Sequence, residues 1–97
     1  MAGEDDQVFK ALADPTRREI LRLLAAGDLP AGVLGERFEI SQPAVSRHLA
    51  VLRAAGLVIA RRDGQNVIYA LDTTVVQDVV RLLLDLAETR KPKRGTK

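Results

Sequence analysis

Apolar positions along the chain fall into five stretches of helical spacing and one of strict alternation. From Asp5 to Leu12, Val8, Ala11 and Leu12 recur on one side with Phe9 beside them, which predicts a short first helix. "ADPTRREILRLLAAGD" predicts a second, with Ile20, Leu23 and Leu24 as its buried stripe and Arg18 and Arg22 facing out. Asp14 can cap it, Pro15 suits the first position, where a missing N–H costs nothing, and Gly27 marks its end. Val33, Leu34 and Phe38 set a third helix from Pro30 or Ala31 to Phe38, followed by a two-residue turn, Glu39-Ile40. Ser41 caps a fourth that tolerates Pro43 in its first turn and runs to about Ala55, where Gly56 stops it. "LVIARRDGQNVIYAL" alternates instead, with Leu57 and Ile59 on one arm, Val67, Tyr69 and Leu71 on the other, and Asp63-Gly64 as the turn. Helical spacing returns from Thr73 to about Ala87, behind Asp72 as cap.

This order, four helices, a hairpin and a last helix, predicts an α+β fold that is mostly helical. The third and fourth helices, joined by a tight turn, form a helix-turn-helix, and the hairpin behind them is a wing. With Val45, Leu49 and Leu52 of the fourth helix turned inward, Pro43, Arg47, Ala50 and Ala54 point away, flanked by Ala44, Ser46 and Val51. Gln42 projects from the tip. A merely solvated face is normally rich in Glu and Lys, and this one has neither. Small side chains instead allow close approach, and a duplex major groove accepts a helix. Gln can pair with adenine and Arg with guanine, while Ser or Ala meets polar edges or a thymine methyl. The free N–H groups at the helix start, with Ser41, can hold a phosphate.

Charge sharpens this picture. The chain has 97 residues and a net charge of +2, but residues 1–88 carry ten basic and thirteen acidic side chains, while residues 89–97 carry Arg90, Lys91, Lys93, Arg94 and Lys97. Between Ser41 and Leu71 the bases Arg47, Arg53, Arg61 and Arg62 face a single acid, Asp63. A locally positive stretch in an otherwise acidic body suits an anionic partner, though scattered solubilising charge gives the same count. Arg61 and Arg62 sit beside the Asp63-Gly64-Gln65 tip, where they can reach phosphates or the minor groove. Charged edge strands also block unwanted sheet pairing, and both roles are compatible. The single histidine, His48, lies on the flank of the fourth helix. A boundary position with one ring nitrogen bonded competes there with a phosphate contact.

Several classes are disfavoured. Without cysteine there is no disulfide, thiolate metal site or thiol switch. The acidic start "MAGEDDQVFK" lacks a signal-peptide layout, and no apolar run reaches the ~18–20 residues that span a bilayer, so a cytoplasmic protein is expected, with no membrane partner. No nucleophile–base pair, phosphate loop or metal cluster suggests an enzyme. One domain, residues 1–88, is expected, with 89–97 a basic, disordered tail.

"ALADPTRREILRLL", "ISQPAVSRHLAVLRAAGLV" and "RRDGQNVIYAL" together resemble the ArsR/SmtB family of bacterial winged-helix repressors, from about Gln7 to Leu86. The resemblance implies a homodimer pairing first and last helices across a two-fold axis, and repression of an operon, often one that includes the repressor's own gene. The reading of the fourth helix and the wing sets the expected DNA contacts at Ser41, Gln42, Pro43, Ala44, Ser46, Arg47 and His48, with Arg61, Arg62, Gly64 and Gln65 of the wing. The family's thiolate pattern on the third helix meets Pro30 and Gly32 here. Its second pattern, on the last helix, meets Asp72, Thr74, Asp85 and Glu88, both imidazole positions having lost their nitrogen. Three carboxylates and a hydroxyl suit hard cations better than zinc. The chain therefore resembles the metal-independent, SdpR-like branch, and no cofactor is expected.

The residues independently favour a dimer. Val75, Val76, Val79, Val80, Leu82, Leu83, Leu84 and Leu86 cover far more of the last helix than the ~100° stripe one core needs. Val8, Phe9, Leu12, Val76, Val79, Val80, Leu83 and Leu84 are the expected interface, unless the helix is buried on two sides within one chain. The leading expectation is thus a homodimeric repressor on an inverted-repeat operator in double-stranded DNA. A winged-helix protein-interaction module, or a cation-responsive repressor using last-helix carboxylates, are the alternatives.

Overall fold

The computed structural model describes residues 2–96, with side chains for residues 6–88. Helix α1 (Ala2–Leu12) leads into α2 (Pro15–Ala26), a two-residue strand β1 (Leu29–Pro30), α3 (Ala31–Phe38), α4 (Gln42–Ala54), the hairpin β2 (Val58–Asp63) and β3 (Asn66–Leu71), and α5 (Thr73–Thr96). The fold is mostly helical with one three-stranded antiparallel sheet in the order β1-β3-β2. The expected tail, 89–97, lies outside the residues with described side chains.

The caps explain the boundaries. Asp14 Oδ2 accepts from Arg17 N–H at 2.9 Å and Pro15 opens α2, while Ser41 Oγ accepts from Ala44 N–H at 3.2 Å at the start of α4. Asp72 Oδ1 accepts from Thr74 N–H at 3.0 Å and starts α5. Helix α4 ends on Gly56, at φ +80°, where Gly56 N–H reaches Arg53 O and Leu57 N–H reaches Leu52 O, both at 3.0 Å. These two bonds are a Schellman motif, and its accompanying apolar contact is provided by Leu52 and Leu57, both fully buried. Gly27 donates to Leu24 O but is extended, so α2 ends without the left-handed turn usual for a terminal glycine.

The core is Val8 and Ala11 of α1, Ile20 and Leu24 of α2, Leu34 of α3, Val45, Leu49, Leu52 and Ala55 around α4, and Leu57 and Val58. Leu23, expected there, is only partly buried. Two details of the hairpin correct the reading from alternation. Leu57 belongs to the Schellman turn, so the strand phase begins at Val58: Val58 is buried and Ile59 points out. The two turn residues are Gly64 and Gln65, one position later than Asp63-Gly64, since Asp63 pairs with Asn66. Gly64 alone has positive φ, at +66°, which is the II′ pattern with glycine first. Strand β1 had no expectation at all. Leu29 pairs with Tyr69 and Pro30 with Ile68, and as the edge strand β1 tolerates a proline that donates nothing.

Candidate nucleic-acid interface

Helices α3 and α4 meet across a turn whose geometry needs one unusual residue. Glu39 takes φ 56°, ψ 40°, left-handed for a non-glycine, and its N–H closes on Gly35 O. Ile40 N–H bonds the same carbonyl at 3.3 Å. Gly35 is buried, and a Cβ there would fall 2.2 Å from Gln42 Nε2. The Gln42 amide therefore rests over α3 rather than extending freely from the tip of α4.

Burial of Val45, Leu49 and Leu52 fixes the rotation of α4 and turns Pro43, Ser46, Arg47, Ala50 and Ala54 to solvent, with Ala44 half-buried on the flank. No acidic residue interrupts this face. Among the described residues Arg47 has no ion-pair partner, so its cation is available to an external anion. Serine, alanine and proline leave the backbone close to whatever lies opposite; in the first turn Pro43 has no N–H and Ala44 N–H is taken by Ser41 Oγ, which leaves the Gln42 N–H at the helix start.

The two wing arginines are not equivalent. Arg61 Nη1 lies 2.9 Å from Asp28 Oδ2, a bridge over the middle strand β3 to the residue before β1. Arg62, on the other face of β2, has no ion-pair partner among the described residues and stands with Gly64 and Gln65 at the exposed tip. The alternation in the sequence cannot reveal this difference, because Asp28 is 33 positions away from Arg61.

His48 is half-buried, and its Nδ1 lies 3.4 Å from Arg17 Nη1. Arg17 is the residue the sequence reading missed. Its Nε donates to Ala11 O and its Nη2 to Lys10 O, each at 2.9 Å, while Arg18 Nη1 donates to Leu12 O at 2.8 Å. Two cations from α2 thus close the carbonyl end of α1, where partners and positive charge are both favourable. The Arg17 backbone N–H, followed by burial acting the opposite way and then the Arg17 and His48 charges, leaves the Asp14 carboxyl below its usual 3.8.

The expected interface residues on α1 and α5 divide. Val8 is 3% exposed and belongs to the core; Leu12, Val76 and Val79 are partly buried against it. Phe9 is 45% exposed, and Leu83 and Leu84 are each 54% exposed, with Val80, Leu82 and Leu86 beside them. An open apolar groove of about 380 Å³ runs along Leu12, Leu21, Leu57, Leu71, Val76 and Val80. Among the described residues no three His, Cys, Asp or Glu side chains gather as metal ligands. No helix of the described residues is long and apolar enough to cross a membrane.

Taken together, a helix-turn-helix with a small-residue outer face, followed by a basic wing, defines a winged-helix DNA-binding regulator. A family model described as bacterial regulatory protein, arsR family, matches residues 14–60, from the cap of α2 to the start of the wing. The chain is 48% identical over 80 residues to the transcriptional repressor SdpR of Bacillus subtilis, covering 82% of this chain and 89% of that one. It is 43% identical over 76 residues to the transcriptional activator HlyU of Vibrio cholerae, covering 78% and 70% respectively. An ArsR-like transcriptional regulator from Rhodococcus sp. RHA1 superposes with a TM-score of 0.89 at 31% identity, over 97% of this chain and 86% of that one. The chain belongs to the ArsR family of bacterial regulatory proteins, whose members are transcriptional regulators and not enzymes.

Proposed function

We propose that this protein is a sequence-specific DNA-binding repressor that acts as a homodimer on an inverted-repeat operator, including one at its own gene. The observation that carries the reading is the acid-free outer face of α4, where Arg47 stands unpaired among Pro43, Ser46, Ala50 and Ala54. Arg47 is the side chain suited to a bidentate guanine contact. Ser41, Ser46 and the Gln42 N–H suit a phosphate or base edge, and the Gln42 side chain needs only to swing off Gly35 to reach an adenine. Pro43 and Ala44 keep the approach close. Arg62, Gly64 and Gln65 carry the wing onto the backbone, and Arg61 joins them by exchanging Asp28 for a phosphate.

Repression as the output rests on the likeness to SdpR, whose name states it. The dimer reading is supported by Phe9, Val80, Leu83 and Leu84, too exposed on one chain for their apolarity, and by the apolar groove beside them. Residues 1–88 would then be one binding and dimerisation unit, working in the cytoplasm where the operator is. The family's metal patterns do not fit these residues: Pro30 and Gly32 offer no thiolate, Thr74 no imidazole, and Asp72 is engaged as the cap of α5. No metal enters the mechanism.

Fluorescence anisotropy with duplexes from the protein's own upstream region tests the reading. One duplex should bind at least ~10³ tighter than its scrambled counterpart at the same salt, the lower end for specific recognition. Equal affinity for the two would reject specific reading.

A further inference from the structure

All three nitrogens of the Arg17 guanidinium are engaged. Nε and Nη2 hold the Ala11 and Lys10 carbonyls of α1 at 2.9 Å, and Nη1 faces His48 Nδ1 on α4 at 3.4 Å. The main chain of Arg17 is fixed too, by Asp14 Oδ2. A guanidinium carries donors only, so its contact with Nδ1 is a hydrogen bond only where that nitrogen keeps its lone pair. In a neutral ring the proton then sits on Nε2. Arg17 thereby selects the tautomer of His48 as well as its orientation. His48 lies ~100° around α4 from Arg47, on the flank of the outer face, and Nε2 makes no hydrogen bond among the described residues.

We propose that Arg17 is a positioning residue for DNA reading: by donating to Nδ1 it presents the Nε2–H of His48 to a backbone phosphate beside the groove that Arg47 enters, in a register set by α1. The proposal rests on the DNA-binding reading of α4. Helix α1 packs on α4 through Val8 and Ala11, and such apolar contact is non-directional. The Arg17 bonds are directional, and they join the end of α1 to α4 through fixed donors and acceptors.

The test uses the full chain, labelled with ¹⁵N, in mildly alkaline buffer. Long-range proton–nitrogen correlation of the single histidine should show Nε2 protonated and Nδ1 bare in the wild type. Arg17→Lys keeps the positive charge but not the fork, and should turn the ring into a mixture of tautomers. The same variant should weaken operator binding roughly three- to tenfold, the range of one hydrogen bond. His48→Ala, which leaves the α1 cap intact, should weaken it equally even if Arg17→Lys lowers stability. His48→Gln, with a donor at the ε position, should restore most of the loss. A proton on Nδ1 in the wild type, or a ring spectrum unmoved by Arg17→Lys, would overturn the positioning role. Operator affinity unmoved by His48→Ala would overturn the phosphate contact. Should the wild type not discriminate operator from scrambled duplex, the reading of α4 falls with the phosphate contact, and the ring spectrum of free protein still decides the Arg17–His48 bond.

Discussion

Arg47 and Arg62 are both exposed and both unpaired among the described residues, yet they should respond to different properties of DNA. Arg47 lies on the solvent-facing side of α4 proposed to enter the groove, so Arg47→Ala should cost about 1–3 kcal/mol on the operator and relax preference at one base step. Arg62 is at the wing tip, and Arg62→Ala should weaken operator and scrambled duplex alike, flattening the salt dependence by about one phosphate's worth. Asp28 offers the opposite change. Asp28→Asn releases Arg61 from its 2.9 Å partner and should steepen the same dependence by a similar amount, read from affinities over a range of salt. Asp14 ties local structure to acid. Its folded-state value is depressed, so its stabilisation is complete above the ordinary carboxylate range and is lost as pH falls through the lower folded value. Thermal melts should therefore separate wild type from Asp14→Ala at neutral pH and bring them together in acid.

At the scale of elements, the helices were legible and the sheet only in part. Asp14-Pro15, Ser41 and Gly56 announce α2 and α4 through local chemistry, and the structure has the corresponding bonds. Strand β1 carries no periodic signal, since two residues cannot show one and Pro30 serves equally as the start of α3; its partner Tyr69 is 40 positions away from Leu29 in number and adjacent only in space. The phase of β2 was hidden because Leu57 is apolar for the sake of the Schellman turn rather than the strand. Arg17 drew no expectation, because the carbonyls it closes belong to α1 and nothing in the local pattern of α2 points to them. Gly56 is where one element depends most on another: it needs φ +80°, and a Cβ would lie 3.0 Å from Val75 Cγ2 of α5. Gly56→Ala should destabilise by about 1–2 kcal/mol from backbone strain alone, measured by denaturant unfolding.

For the whole molecule, the question is how one thin core supports a reader of duplex DNA. Phe9, Val80, Leu83 and Leu84 are exposed and apolar, and they are the surface proposed to meet a second copy. Leu83→Glu should shift sedimentation toward a single subunit at micromolar concentration and abolish tight operator binding while leaving the helical signal in place. Pairing would present two α4 helices to one face of the duplex. The central claim, that the outer face of α4 reads a two-fold site, is tested most directly by hydroxyl-radical footprinting of the purified protein on its own upstream region. Two protected half-sites related by inverted symmetry, centred ~34–36 Å apart, are the predicted result. Uniform protection or none, at concentrations where the protein is dimeric, would contradict it.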